Sequence, residues 1–92
     1  MNTEMERDSH SQFQRAAAVK DRHEEFLLSK ANVVGVGVGI REQGGIYTGE
    51  IALIVMVRKK LPGAQLSGED LVPTEIEGVP VDVQEVGAID AQ

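Results

Sequence analysis

The stretch NVVGVGVGI, residues 32–40, predicts a β-strand in which every second residue is glycine. Side chains alternate between the two faces of a strand, so one face carries aliphatic side chains and the other is almost bare backbone. The aliphatic residues are Val34, Val36, Val38 and Ile40, and the glycines are Gly35, Gly37 and Gly39. A glycine inside a strand costs about 0.5–1 kcal/mol relative to alanine. We therefore expect a helix, another protein chain or a ligand to approach the glycine face closely.

The residues before this strand predict one long amphipathic helix. Ser9 and Gln12 fit a capping box, and no glycine or proline interrupts the segment from Gln12 to Ser29. An apolar stripe with helical spacing comprises Ala16, Val19, His23, Phe26 and Leu27. We predict a disordered tail over residues 1–8, a single domain over residues 9–88 and a short tail over residues 89–92.

The residues after the glycine strand predict three more strands. A mobile loop at residues 43–49 leads to a strand at residues 50–58, whose two faces are both apolar. Those faces are Ile51, Leu53, Val55 and Val57 on one side, and Ala52, Ile54 and Met56 on the other. A helical turn at residues 67–70 is followed by a hairpin at residues 74–86, which turns at Glu77-Gly78 and points Val79, Val81 and Val83 into the core. Pro80 lacks a backbone donor, which predicts that the last strand lies at an edge of the sheet.

These elements predict an α+β fold: one long N-terminal helix packed on a small four-stranded, mainly antiparallel sheet. The order is helix, strand, strand, short turn, strand, strand. A single helix covers only one face of such a sheet, yet the second strand is apolar on both faces. We therefore predict a homo-oligomer or another protein partner on the remaining face. The candidate interaction residues are Gly35, Gly37, Gly39, Ala52, Ile54 and Met56.

The composition excludes several classes of partner and site. The chain has 92 residues, no cysteine and a formal net charge of −6. Disulfides and thiolate zinc sites are therefore excluded, and the negative charge opposes binding to nucleic acid or anionic membranes. The first residues are polar and acidic, unlike a secretory signal, and the longest apolar run, residues 51–57, is too short to span a bilayer. We expect a soluble cytoplasmic protein.

The sequence predicts neither an enzyme nor a cofactor. The glycine spacing is G-x-G-x-G and the next element is a strand, whereas a dinucleotide fingerprint leads from a strand into a helix. No serine lies on a nucleophile elbow, so a Ser-His-Asp set is not indicated. His23, within the apolar stripe, is predicted to be either a pH-sensitive residue or a buried, hydrogen-bonded one. A small-molecule or nucleotide site along the glycines remains an alternative function.

Several motifs in this order resemble a known family. They are AVK with His23, the glycine strand, GG at residues 44–45, TGE at residues 48–50, RKK at residues 58–60, and IEGVPVDVQEVG at residues 76–87. Over residues 15–90 the series resembles the small region that precedes the peptidase domain in bacterial trypsin-like serine peptidases, which are similar to a plant leaf-width regulator. The catalytic residues of that family lie in a following domain, so none is assigned to this chain. The resemblance implies a non-catalytic accessory unit, or a regulatory, pro-domain-like unit that binds a trypsin-like peptidase in trans. Met1 favours a free-standing protein over a fragment.

Overall fold

A long helix and a four-stranded sheet make up the fold. The computed structural model describes residues 3–60 and 68–86. The elements in chain order are α1 (Thr3–Leu28), β1 (Val33–Gln43), β2 (Ile46–Val57), a 3-10 turn (Gly68–Asp70), β3 (Glu75–Ile76) and β4 (Val79–Glu85). The predicted α+β fold of one helix on four strands is confirmed. The predicted turn at residues 61–63 and the predicted tail at residues 89–92 lie outside the described residues.

Helix α1 begins at Thr3, before the predicted helix start at Ser9. The division into a tail over residues 1–8 and a domain over residues 9–88 stays a prediction. No glycine or proline lies between Thr3 and Leu28, so the backbone has no local reason to leave the helix. Three of the five predicted stripe residues, Ala16, Val19 and Leu27, are buried against the sheet. Phe26, at the margin of the stripe, is exposed.

The sheet has the strand order β1-β2-β4-β3. The β1–β2 and β3–β4 pairs are antiparallel, as predicted for most of the sheet, whereas the central β2–β4 pair is parallel. The chain after β2 returns to the other end of the sheet before β4 begins, and such a crossover makes two strands parallel. The predicted edge position of the last strand is wrong, because β4 lies between β2 and β3. Pro80 is tolerated because the pairing with β2 starts only at Val81.

The β1–β2 hairpin has a tighter turn than the sequence predicts. Gly44 and Gly45 both have positive φ, 60° and 81°, as the central residues of a type I′ turn require. This two-residue turn is sufficient, so β2 already begins at Ile46 and Tyr47 pairs with Glu42. The predicted mobile loop over residues 43–49 is therefore wrong.

A β-bulge at the start of β1 changes which residues enter the core. Val33 pairs with Val57, but Gly35 pairs with Met56, so Val34 is the extra residue. Val33 packs on the core together with Val36 and Val38, and Val34 is exposed. The predicted core position of Val34 is therefore wrong. The buried core consists of Ala16, Val19, Leu27, Leu53, Val55, Val57, Ile76 and Val79.

Candidate interaction surface

The open face of the sheet, defined here by Gly35, Gly37, Gly39, Ile54 and Met56, lies opposite α1. Helix α1 packs on the face that carries the buried core, and the pairing of Gly35 with Met56 and of Gly37 with Ile54 places the glycines on the other face. A helix in the glycine groove was one of three predicted occupants, and the structure places the helix elsewhere. Among the described residues, no helix or strand packs on the open face.

Side chains of the neighbouring strand β2 occupy the space above the glycines. A Cβ atom added to Gly35 would lie 2.9 Å from Met56 Cε, and one added to Gly39 would lie 3.2 Å from Ile54 Cγ1. Gly37 has more room, because a Cβ atom there would lie 3.9 Å from Met56 Cε. The glycine stripe therefore receives two large side chains of its own sheet, an occupant that the alternation of residues in β1 alone does not reveal.

Ala52 belongs to this face by alternation but is buried within the single chain. Its exposed fraction is 0 %, whereas Ile54 and Met56 are half-buried. On the adjacent strand, Asp82 reaches across β2, and its Oδ2 accepts hydrogen bonds from the backbone N of Glu42 at 2.8 Å and from Gln84 Nε2 at 3.0 Å. We infer that the small side chain of Ala52 lies beneath this hydrogen bond between Asp82 and Glu42. Ala52 therefore offers no exposed surface within the single chain, and its role in a contact stays a prediction.

His23 is not buried, which corrects one of its two predicted roles. Its side chain is 30 % exposed, and Nε2 lies 2.7 Å from Oε2 of Glu77. The same carboxylate accepts two hydrogen bonds from Arg22, from Nε at 3.0 Å and from Nη2 at 2.7 Å. Arg15 Nη2 donates to the carbonyl oxygen of Glu77 at 2.6 Å. Three helix side chains therefore hold the β3–β4 turn, and we call this group the Glu77 clamp.

The Glu77 clamp combines hydrogen bonds to a charged carboxylate with a turn that has a defined backbone geometry. Hydrogen bonds from Arg22 and His23 stabilise the charged carboxylate and lower the pKa of Glu77 from an ordinary 4.5 to about 2. Glu77 and Gly78 have positive φ, 51° and 81°, so this is again a type I′ turn, as the predicted hairpin requires. The sequence pattern predicts the turn but not the partners of Glu77. The spacing of Arg15 and Arg22, two helical turns apart on one flank, was the signal available.

The connection between α1 and β1 is held by a second group of polar contacts. Lys30 is buried, its Nζ donates to the carbonyl oxygen of Glu69 at 2.5 Å, and it lies 4.4 Å from the centre of the Phe26 ring. Asn32 exchanges two hydrogen bonds with the backbone of Lys59. Beside these contacts is an open pocket of about 210 Å³, lined mainly by Val33, Val57, Leu71, Val72 and Val83. Its polar lining residues are Asn32, Lys59, Lys60 and Asp70, and Asp70 Oδ1 accepts a hydrogen bond from the backbone N of Ala31 at 2.8 Å.

The predicted basic cluster at residues 58–60 is exposed at the end of β2. In residues 3–60 and 68–86 there is no group of three or more His, Asp or Glu side chains able to hold a metal ion. No buried side-chain nitrogen or oxygen in the same segments lacks a hydrogen-bond partner. No described helix is long and apolar enough to cross a membrane. Comparison with protein-family models and with curated proteins returns no match.

Proposed function

We propose that this domain is a non-catalytic assembly module, and that its open face packs against the open face of a second copy. The observation that carries the proposal is the lack of any described helix or strand over the sheet face that contains Ile54 and Met56. Both side chains are half-buried within the single chain, so each still has apolar surface to lose to a partner. Burial of such a side chain from full exposure contributes about 1.5–3 kcal/mol, and the part of this gain that belongs to the still exposed surface is left for a partner.

The shape of this face suits sheet-on-sheet packing. Two sheets stack about 10 Å apart, and their inner side chains interdigitate. The open face offers a ridge formed by Ile54 and Met56 beside a low strip formed by the glycines of β1. A two-fold axis that lies between the two faces and runs parallel to the strands places each ridge over the low strip of the other copy. The same contact on both copies closes a dimer without leaving a free surface.

The test is the solution mass by light scattering over a dilution series, comparing the wild type with Met56→Glu. Met56→Glu places a charge in the proposed contact, and we expect it to lower the assembly state while the far-UV circular dichroism stays native. Ala18→Glu is the matched control, since it adds the same charge on the exposed side of α1. A Met56→Glu protein with the same mass and dilution profile as the wild type would exclude the open face as an assembly surface.

Binding of a trypsin-like peptidase in trans remains the alternative that the family resemblance implies. If the wild type stays at the mass of one chain, 9.9 kDa, at every concentration, self-assembly fails and peptidase binding becomes the hypothesis to test. A small-molecule site along the glycines has less support, because Met56 and Ile54 take the space that it needs.

A further inference from the structure

Strand β1 forms one edge of the sheet, and most of its length lacks the usual protection of an edge. β2 pairs with one side of β1, and no described strand pairs with the other side. Natural edge strands are blunted by charges, prolines or bulges. From residue 33 to residue 40 this strand has no charge and no proline, and its bulge at Val34 leaves the backbone regular from Gly35 to Gly39. Val34 and Ile40 are 46 % and 47 % exposed.

The flank of α1 that lies above this edge has an exposed apolar side chain at each end and an ion pair between them. Residues of an α-helix are rotated by about 100° each, so Phe13, Lys20, Glu24 and Leu28 lie on the side opposite Arg15 and Arg22. The two arginines point toward the β3–β4 turn. Since α1 packs over β1 and β2, the opposite flank faces the free side of β1. Phe13 and Leu28 on this flank are 49 % and 43 % exposed.

The helix flank and the regular part of the edge have their midpoints at similar distances from the α1–β1 connection. The midpoint between Phe13 and Leu28 is about 11 Å before the end of α1. Gly37, the middle of the regular segment from Gly35 to Gly39, is about 13 Å after the start of β1. Because the chain reverses between α1 and β1, we place these midpoints one above the other.

We propose that two copies of the chain pair along β1, antiparallel, about a two-fold axis through Gly37. The axis places Val36 beside Val38 of the second copy, and Phe13 beside Leu28 of the second copy. In the sheet, valine meets valine and glycine meets glycine across the new ladder. Since strands are spaced by about 4.8 Å and each helix lies over β1 and β2, the two helices are about 10 Å apart, which is a normal packing distance.

The charges on the helix flank fit a second copy of this chain. Lys20 Nζ lies 3.1 Å from Glu24 Oε1, and this ion pair is close to the midpoint of the flank. The two-fold axis brings the two pairs into one cluster of four charges, in which each lysine lies between the glutamate of its own chain and that of the other. The cluster is neutral. A partner without the same order of a lysine and a glutamate on its helix leaves Lys20 or Glu24 without an opposite charge. This inference uses the edge of the sheet and does not rest on the open face.

The test uses charge reversal and mixing. Lys20→Glu gives four negative charges in the cluster, and Glu24→Lys gives four positive charges. We expect each variant alone to dimerise at least about tenfold more weakly than the wild type, because every contact in the cluster becomes repulsive. An equimolar mixture of the two is expected to form a heterodimer with restored affinity, which native mass spectrometry detects directly. Single variants that dimerise as tightly as the wild type would overturn the proposed arrangement, as would a mixture that stays monomeric.

A second pair of variants tests the strand layer. Ile40→Lys places a charge at the end of the proposed ladder, whereas Ile46→Lys makes the same change at the exposed hairpin end, outside the proposed contact. We expect only Ile40→Lys to weaken the dimer and to speed hydrogen exchange of the β1 amides that do not bond to β2. Equal effects of both variants on dimer affinity and hydrogen exchange would reject pairing along the edge of β1. The two proposals fail separately: Met56→Glu alone removes open-face assembly, and the charge-reversal variants alone remove edge assembly.

Discussion

Replacing each glycine of β1 with alanine is expected to give three different stabilities, ordered by the room above each position. A glycine inside a strand costs about 0.5–1 kcal/mol, because the unfolded chain loses more freedom on folding. Gly37→Ala recovers this amount, since its Cβ atom would lie 3.9 Å from Met56 Cε, an ordinary contact. We expect a gain of about 0.5–1 kcal/mol, which raises the melting temperature by about 2–8 °C in a domain of this size.

The other two substitutions meet side chains that differ in flexibility. At Gly35 the new Cβ atom would lie 2.9 Å from the end of Met56, which has free rotation and swings aside, so the net change is near zero. At Gly39 it would lie 3.2 Å from Cγ1 of Ile54, a branched side chain close to its own backbone. Overpacking there offsets the entropic gain, and we expect a net loss of up to about 1 kcal/mol.

Urea denaturation measures the three differences, at concentrations where light scattering shows a single chain. The midpoint is expected to change and the slope to stay constant, since the exposed surface hardly differs. The variant pair Gly35→Ala and Met56→Ala supplies a control, because removal of the Met56 side chain turns Gly35→Ala from neutral to stabilising. A loss of 1 kcal/mol or more in Gly37→Ala would refute the reasoning, because it would mean that another part of the chain contacts the backbone at this glycine.

Three further predictions concern the rest of the fold. The pKa of Glu77 is lowered from 4.5 to about 2, so the Glu77 clamp stabilises the fold above pH 4.5 and loses that effect as the pH falls toward 2. The difference in urea midpoint between the wild type and Glu77→Gln should therefore close over this pH interval, and a constant difference would contradict the prediction. Gly78→Ala should lower the stability in thermal unfolding more than Gly44→Ala. Both glycines have positive φ, a conformation that costs an alanine about 1–2 kcal/mol, but only at Gly78 would the new Cβ atom also clash, because it would lie 2.7 Å from Nη2 of Arg15. Leu53→Ala, at a fully buried position, should cost about 2–5 kcal/mol in urea denaturation, and a smaller loss would place Leu53 outside the core.

Local patterns in the sequence predict the elements of this fold but not the way the strands are joined. The helix, the Glu77-Gly78 hairpin and the inward direction of Val79, Val81 and Val83 follow from periodicity and turn chemistry, which act over a few residues. The parallel pairing of β2 with β4 depends on a crossover between distant segments, and no local pattern encodes its direction. The bulge at Val34 has a similar cause: a one-residue offset reverses the faces of a strand, and only the pairing with β2 reveals it.

Local patterns predict the candidate surfaces only in part, because some of their contacts join segments that are distant in the sequence. Alternation in β1 and β2 correctly places the glycines on the face opposite the core, beside Ile54 and Met56. Alternation does not predict that Ala52 is fully buried, nor that Asp82, on a strand distant in the sequence, bonds to the backbone N of Glu42 across β2. Nor does it predict that His23 bonds to Glu77, since the helix and the β3–β4 turn meet only in the folded chain.

The net charge of the chain predicts a different salt dependence for each of the two proposed contacts. Each copy has a formal net charge of −6, so two copies repel one another at low ionic strength. The open face gains affinity from apolar burial, which salt does not screen, so added salt strengthens that contact by reducing the repulsion. The edge contact includes a four-charge cluster of Lys20 and Glu24, and salt weakens the attraction within it. An assembly that tightens steeply with salt therefore depends mainly on the open face, and one that responds little depends on the edge of β1.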